Sequence, residues 1–302
     1  MASIICGSMA FDTIMNFEGR FAEQILPEQL HILNVSFLVP VLRRDFGGCA
    51  GNIAYALRQL GGVPLPVAAM GRDGDVYLER LRALDIDISR LRLFEDAFTA
   101  QAMIITDGDN NQISGFHPGA MERAHLVSVQ MDPKVKLAII APDGQQATLD
   151  HARELHQAGV PLIFDPGQQL PRFDRSELEF LVQTASWITV NDYEAKMLCD
   201  RLSTDPASLS RRVRGLIVTL GAQGCEVWEQ GQRRHVQAEK PVSVSDPTGC
   251  GDAFRGALLY GLERGWSLAK CAVLGNRVGA IKIAHHGPQS YQLGAEVLQA
   301  LD

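Results

Sequence analysis

The stretch Asp246-Pro-Thr-Gly-Cys-Gly-Asp252 runs directly into 253–264, whose apolar residues recur at helical spacing. Gly249 and Gly251 let the backbone turn tightly and approach a ligand closely. The amides around Gly249, Cys250 and Gly251 would then face outward at a helix start, where the macrodipole favours negative charge. That is an anion cradle. A carboxylate at Asp252 would repel a simple anion held there. It suits a base that takes the proton from a hydroxyl attacking a phosphoryl group while the amides stabilise the developing charge. The same residues also read as an Asp capping an ordinary helix after a glycine turn, and this motif alone does not separate the two. The chain has no GxxxxGK(S/T), no GxGxxG after a strand and no HRD or DFG set. A phosphate site here therefore differs from the P-loop, dinucleotide and protein-kinase types.

The elements that must position these residues follow from hydrophobic patterning. Short apolar runs at 3–7, 66–70, 136–142, 160–165, 187–191 and 215–221 read as buried strands. Between them, 53–60, 76–84, 147–158 and 193–199 carry helical spacing. Continuous apolar strands alternating with helices indicate an α/β fold, a doubly wound and mostly parallel sheet with helices on both faces. Two segments break the alternation: 16–46 mixes polar and aromatic residues without period, and 98–105 with 110–116 reads as a hairpin about the polar turn 107–111. Together, about 13–46 and 97–117 are expected to form a small β-sheet lid on one domain spanning 1–302; plain edge hairpins are the alternative.

Composition bounds the partners. With 28 Lys and Arg against 35 Asp and Glu the chain is net acidic, at -7, and has no basic run. Neither nucleic acid nor an anionic membrane is expected as a partner. Apolar stretches such as 137–142 fall far short of the ~18 residues that span a bilayer. The N-terminus lacks a basic region and Asp12 interrupts its apolar run, so no signal peptide is expected. Six scattered cysteines without metal-ligand spacing suit a reducing, cytoplasmic compartment.

Taken together, Asp246-Pro-Thr-Gly-Cys-Gly-Asp-Ala-Phe254 resembles the C-terminal signature of the ribokinase-like (PfkB) carbohydrate and nucleoside kinases, usually D-T-x-G-A-G-D-x-F. Gly47-Gly-Cys-Ala-Gly-Asn52 is similar to the family's G-G-x-x-x-N. Asn191-Asp-Tyr-Glu194 resembles its N-x-x-E, and Thr219-Leu-Gly-Ala-Gln-Gly224 its T-x-G-x-x-G. Four matches in the family's order span most of the chain. The resemblance implies ATP and Mg2+ as cosubstrates, Asp252 as general base and Gly249, Cys250 and Gly251 as anion-hole amides. Cys250 replaces the usual Ala, a tolerable departure because the backbone does the work. Asn191 and Glu194 would organise Mg2+ and phosphates, Glu194 through water because Mg2+ dehydrates reluctantly. Thr219, Gly221 and Gly224 would border the nucleotide. Asp12, Gly47, Gly48 and Asn52 would hold the acceptor's hydroxyls, a carboxylate and a carboxamide together gripping adjacent hydroxyls by donor and acceptor geometry. The family often binds a monovalent cation, K+, between the loop that starts at Asp246 and Thr248 and the C-terminal segment.

For the acceptor, sugar kinases of the family commonly show D-P-N-x-R where this chain has Asp165-Pro-Gly-Gln-Gln169, and a polar residue where it has Cys49. The lid carries Phe17, Phe37, Met103 and Phe116, a set suited to a base's π-face, or simply to a lid core. The look is that of bacterial nucleoside kinases of the adenosine-kinase type. A ribonucleoside 5'-kinase is therefore the leading expectation, with a sugar kinase of the ribokinase or fructokinase type as the alternative. A noncatalytic binder is the third, but a binder has no use for a carboxylate beside a phosphate cradle. His285 and His286, adjacent on a helix end, face different ways and read as structural. His117-Pro-Gly119 reads as a turn or a closing segment. A monomer and a lid-mediated homodimer are both compatible.

Overall fold

The computed structural model describes residues 1–25, 31, 32, 34–109 and 111–299. Its main sheet has nine strands in the order β13-β12-β11-β10-β9-β8-β1-β4-β5. These are β1 (Ala2–Cys6), β4 (Pro64–Gly71), β5 (Leu91–Phe94), β8 (Val135–Ile140), β9 (Leu162–Phe164), β10 (Trp187–Asn191), β11 (Gly215–Thr219), β12 (Cys225–Glu229) and β13 (Gln232–Val236). From β11 to β5 every pairing is parallel, and β12 and β13 add an antiparallel edge. Alternation along the strands explains why both faces are apolar. Ile4, Cys6, Ala138 and Ile140 enter one buried cluster, while Ile5, Leu137 and Ile139 enter the other. One face is covered by α4 (Gln145–Gln157), α5 (Arg175–Thr184) and α6 (Asp192–Leu202). The other is covered by α2 (Cys49–Gln59), α3 (Asp75–Ala83), α8 (Cys250–Glu263) and α9 (Leu268–Ile283).

Strand order reverses at β1: β4 and β5 extend the sheet one way, β8 to β11 the other. In an open α/β sheet such a reversal leaves a crevice beyond the carboxyl ends of the strands. Ser8, Pro142, Asp165, Asn191 and Thr219, at or just past the ends of β1, β8, β9, β10 and β11, all border one cavity there.

A second, four-stranded sheet has the order β3-β2-β6-β7, built from β2 (Ala10–Asn16), β3 (Val41–Gly47), β6 (Ala100–Thr106) and β7 (Gln112–His117). The hairpin expected from the sequence is β6 paired antiparallel with β7. Asp107 ties its turn down, accepting from the amides of Asp109 and Asn111 and, across the chain, from that of Phe21 on the short helix α1 (Phe21–Gln24). Residues 26–30 and 33 of the aperiodic segment, and residue 110 of the turn, lie outside the described residues. Among the described residues, no helix is long and apolar enough to cross a membrane.

Candidate active site

The cavity measures about 1260 Å3, more than the ~300–1,000 Å3 usual for one small ligand. It holds two ends joined at α8.

At the join, Gly249 adopts φ 80, and Cys250 opens α8. A side chain at Gly249 would also strike Pro288, so this turn admits only glycine. The first-turn amides of a helix have no intrahelical acceptor. That of Cys250 is taken by the Pro247 carbonyl at 3.2 Å, which leaves Gly251 and Asp252 as the amides available to an anion. Cys250 thus shapes the loop rather than donating from it. The Asp252 carboxylate accepts a 2.8 Å hydrogen bond from Asn52 Nδ2. Burial pushes its pKa up to about 6, and Asp165 adds to the rise against the Asn52 hydrogen bond and the Arg255 guanidinium. A carboxyl tuned there is ionised at neutral pH yet more basic than an exposed aspartate.

Two buried networks fix this base. Arg255, one turn along α8, pairs bidentately with Asp165 at 2.7 and 2.9 Å and donates to the Gly251 carbonyl at 3.2 Å. The second chain runs from Gln289, whose Nε2 donates to Asn52 Oδ1 at 3.1 Å and to the Tyr77 hydroxyl at 2.6 Å; that hydroxyl donates to the Gly47 carbonyl. Asn52 is 5% exposed, with its oxygen and its amide both engaged. It therefore touches the base directly, a role its expected grip on acceptor hydroxyls did not include. The sequence had no signal for Arg255, Tyr77 or Gln289, because each meets its partner across tens or hundreds of residues.

At one end stands Asp12, on β2 opposite Asp45 of β3. Its carboxylate makes no hydrogen bond among the described residues, so its oxygens can accept. Burial pushes its pKa up to about 6, with Asp45 and Asp246 adding and Arg43 opposing. Arg43 reaches Asp45 at 2.7 Å and Asp246 at 3.6 Å, linking the small sheet to the anion loop. A Cβ at Gly47 would collide with the Asp12 carboxylate. The first glycine of the pair thus leaves room for the Asp12 carboxylate across the sheet.

Of the four expected base contacts, only Phe116 lines the cavity. Met103 lies opposite Thr13, one residue out of phase with Asp12, so pleating puts it on the outer face, 47% exposed. Phe17 and Phe37 pack on Phe21, with centroids 4.9 to 6.0 Å apart, and form a local cluster instead. Gly48 lines the cavity beside Ser8 and Cys49.

At the other end lie Asn191, Glu194, Thr219, Gly221 and Gly224. Asn191 and Glu194 form a capping box on α6: Asn191 Oδ1 accepts from the Glu194 amide and Glu194 Oε2 from the Asn191 amide, both at 2.8 Å. The second Glu194 oxygen makes no hydrogen bond among the described residues, so N-x-x-E both starts a helix and presents a carboxylate oxygen to the cavity. Burial raises the Glu194 pKa. Thr219 Oγ1 donates to the Val190 carbonyl. Asn276, which the sequence did not mark, anchors the 237–241 segment that walls this end by donating to the Val236 and Gln237 carbonyls at 3.2 and 3.0 Å. His285 and His286 are exposed, and among the described residues no cluster of three or more potential ligands could hold a metal ion.

Residues 10–293 match the profile of the pfkB family carbohydrate kinases. The chain belongs to this family. A nucleoside kinase from Methanothermobacter thermautotrophicus is 31% identical over 94% of the chain and 90% of its own length. The structure of Burkholderia thailandensis nucleoside kinase in complex with inosine is 49% identical, with a TM-score of 0.88 over 98% of this chain and 95% of that one. The same enzyme has been described in complex with ADP-inosine. Nucleoside kinase from Methanocaldococcus jannaschii superposes with a TM-score of 0.90 at 28% identity, covering 100% and 98% of the two chains.

Proposed function

We propose that this protein is an ATP-dependent nucleoside kinase, transferring the γ-phosphoryl group to the 5'-hydroxyl of a purine ribonucleoside. One observation carries the reading. Asp252 and the free amides of Gly251 and Asp252 stand where the Asp12 end of the cavity meets the Asn191–Thr219 end. A base and an anion cradle belong at that junction in a phosphoryl transfer, between an acceptor on one side and a nucleotide on the other. Half-identity to an enzyme seen with inosine and with ADP-inosine supports the acceptor class.

In this reading Asp12 accepts hydrogen bonds from ribose hydroxyls and Phe116 covers the base. Asp252 takes the 5'-hydroxyl proton; Asn52 holds its carboxylate and Arg255 fixes the preceding Gly251 carbonyl. The Gly251 and Asp252 amides meet the charge that develops on the transferred group. The unpaired oxygen of Glu194, beside Asn191, is suited to a water of hydrated Mg2+, which when bound would neutralise phosphate charge. We read the four-stranded sheet as a lid on one kinase domain. Six unpaired thiols suit a reducing compartment such as the cytoplasm.

The test is ADP release at fixed MgATP with inosine, adenosine, cytidine, 2'-deoxyadenosine, ribose and fructose. Ribonucleosides should lead by orders of magnitude in kcat/KM, because a free sugar forgoes the base's apolar burial of ~25 cal/mol per Å2. Preference for ribose or fructose would replace this reading with a sugar kinase.

A further inference from the structure

Lys282, in the last turn of α9, has 0% exposure. A lysine that far from water needs acceptors for its ammonium. It has two: Nζ donates to the Asp246 carbonyl at 2.7 Å and to the His285 carbonyl at 3.2 Å. These carbonyls come from the start of the anion loop and from the C-terminal segment, the two stretches between which the family often holds a monovalent cation. The surrounding oxygens are engaged as well. The Asp246 carboxylate accepts from the Thr248 amide through one oxygen and from the Gly287 amide through the other, both at 2.9 Å, and its pKa falls because these hydrogen bonds outweigh burial. The Ile283 carbonyl accepts from the Ser245 and Asp246 amides at 2.8 and 3.1 Å. A hard cation binds through oxygen ligands, and here a positive charge on a four-carbon stem uses two carbonyls while backbone amides take the others named. Asp246, with its carbonyl and both carboxylate oxygens engaged, therefore does not fit its expected role as a ligand of K+.

The position matters for chemistry. Asp246 is held by Lys282 and Gly287; the loop then turns through Pro247, whose carbonyl fixes the Cys250 amide, and through Gly249 into the free amides of Gly251 and Asp252. The ammonium's charge also reaches Cys250, opposing the burial that pushes that thiol up to about 11.

We propose that the Lys282 ammonium is a built-in cation that holds the anion loop in its working shape, so that turnover needs no dissociable monovalent cation. Lys282 is a positioning residue: it acts through the loop and touches no substrate. The proposal rests on the kinase reading, and the tests keep the two apart.

Wild-type kcat and melting temperature would be compared in KCl and in tetramethylammonium chloride, each at roughly 0.1 M so that screening is equal. Both should be unchanged. Activation by K+ of about tenfold, the equivalent of one well-placed interaction in the transition state, or a K+-dependent rise in melting temperature, would overturn the proposal. Lys282→Ala removes the charge and opens space. Its kcat should fall about tenfold or more while KM for the nucleoside stays within about twofold, as expected when transition-state rather than ground-state binding is lost. K+ or methylammonium should restore part of both kcat and melting temperature. Lys282→Met fills the space without a charge and should be slow and unrescued. Normal kcat in Lys282→Met refutes the proposal. If the variants do not fold, the wild-type salt comparison decides it alone. A folded wild type inactive on every acceptor would sink the kinase reading, and the melting comparison would still decide whether Lys282 occupies the cation's place.

Discussion

Replacing Asp252 by asparagine should remove turnover and stabilise the fold. The wild-type carboxyl titrates at about 6 instead of 3.8, mainly because the cleft desolvates it. A group whose acid form is favoured in the folded state weakens that state once it ionises. The cost is absent below the unfolded value, grows as pH rises from 3.8 to about 6, and is constant above. At 1.36 kcal/mol per pH unit, the rise from 3.8 to about 6 is worth about 3 kcal/mol. Water in the cleft reaches this partly buried group, and the variant also forgoes the attraction of Arg255, so about 1–2 kcal/mol is expected. Asparagine keeps the shape and can still accept from Asn52 Nδ2. Urea unfolding of both proteins should show the variant more stable by this amount at pH 8, with the difference vanishing toward pH 4. Its kcat should fall about 100-fold to 10,000-fold, the usual worth of a general base. A variant that is less stable at pH 8, or whose advantage does not vary with pH, would refute the electrostatic account; near-normal kcat would remove Asp252 from the chemistry.

The free-enzyme profile of kcat/KM should fall below pH about 6 with a limiting slope approaching two, because Asp12 and Asp252 are both raised to about 6 and both are needed ionised. A pH-rate series from 5 to 8, read for its acid limb, checks this; Asp12→Asn should leave a slope of one. Gly47→Ala should raise KM for the nucleoside about tenfold with a smaller change in kcat, since its methyl displaces the Asp12 carboxylate; unchanged steady-state constants would contradict that placement. Asp165→Ala leaves Arg255 buried without its partner and should cost about 3–5 kcal/mol in urea unfolding. A loss under 1 kcal/mol would refute this account and mean that the Gly251 carbonyl, which Arg255 already reaches at 3.2 Å, is enough to hold the guanidinium.

Local pattern was sufficient for the fold class and for where the chemistry enters. The apolar run at 187–191 is β10 to the residue, and the expected hairpin is β6 paired with β7, because apolar content and turn chemistry act over a few residues. Gly249 and Asp252 sit at a helix start as their order implied, since left-handed backbone and helix capping are also local properties. Strands β5, β12 and β13 and helices α5 and α9 were missed: neighbours in space decide that those residues pair or pack.

The sequence by itself determined the residue types of the site and the order in which they occur. Only the tertiary structure decided what each one touches. Asn52 and Asp252 are 200 positions apart, and Gln289 and Asn52 are 237 apart; no spacing rule reaches that far, because such contacts follow from how α2, α8 and the C-terminal segment converge at the sheet's reversal. Strand parity likewise turned Phe116 toward the cavity and Met103 away from it. Lys282 shows the same division: the sequence holds one more lysine near a helix end, and only packing the end of α9 against the 246–252 loop encloses its ammonium between two carbonyls.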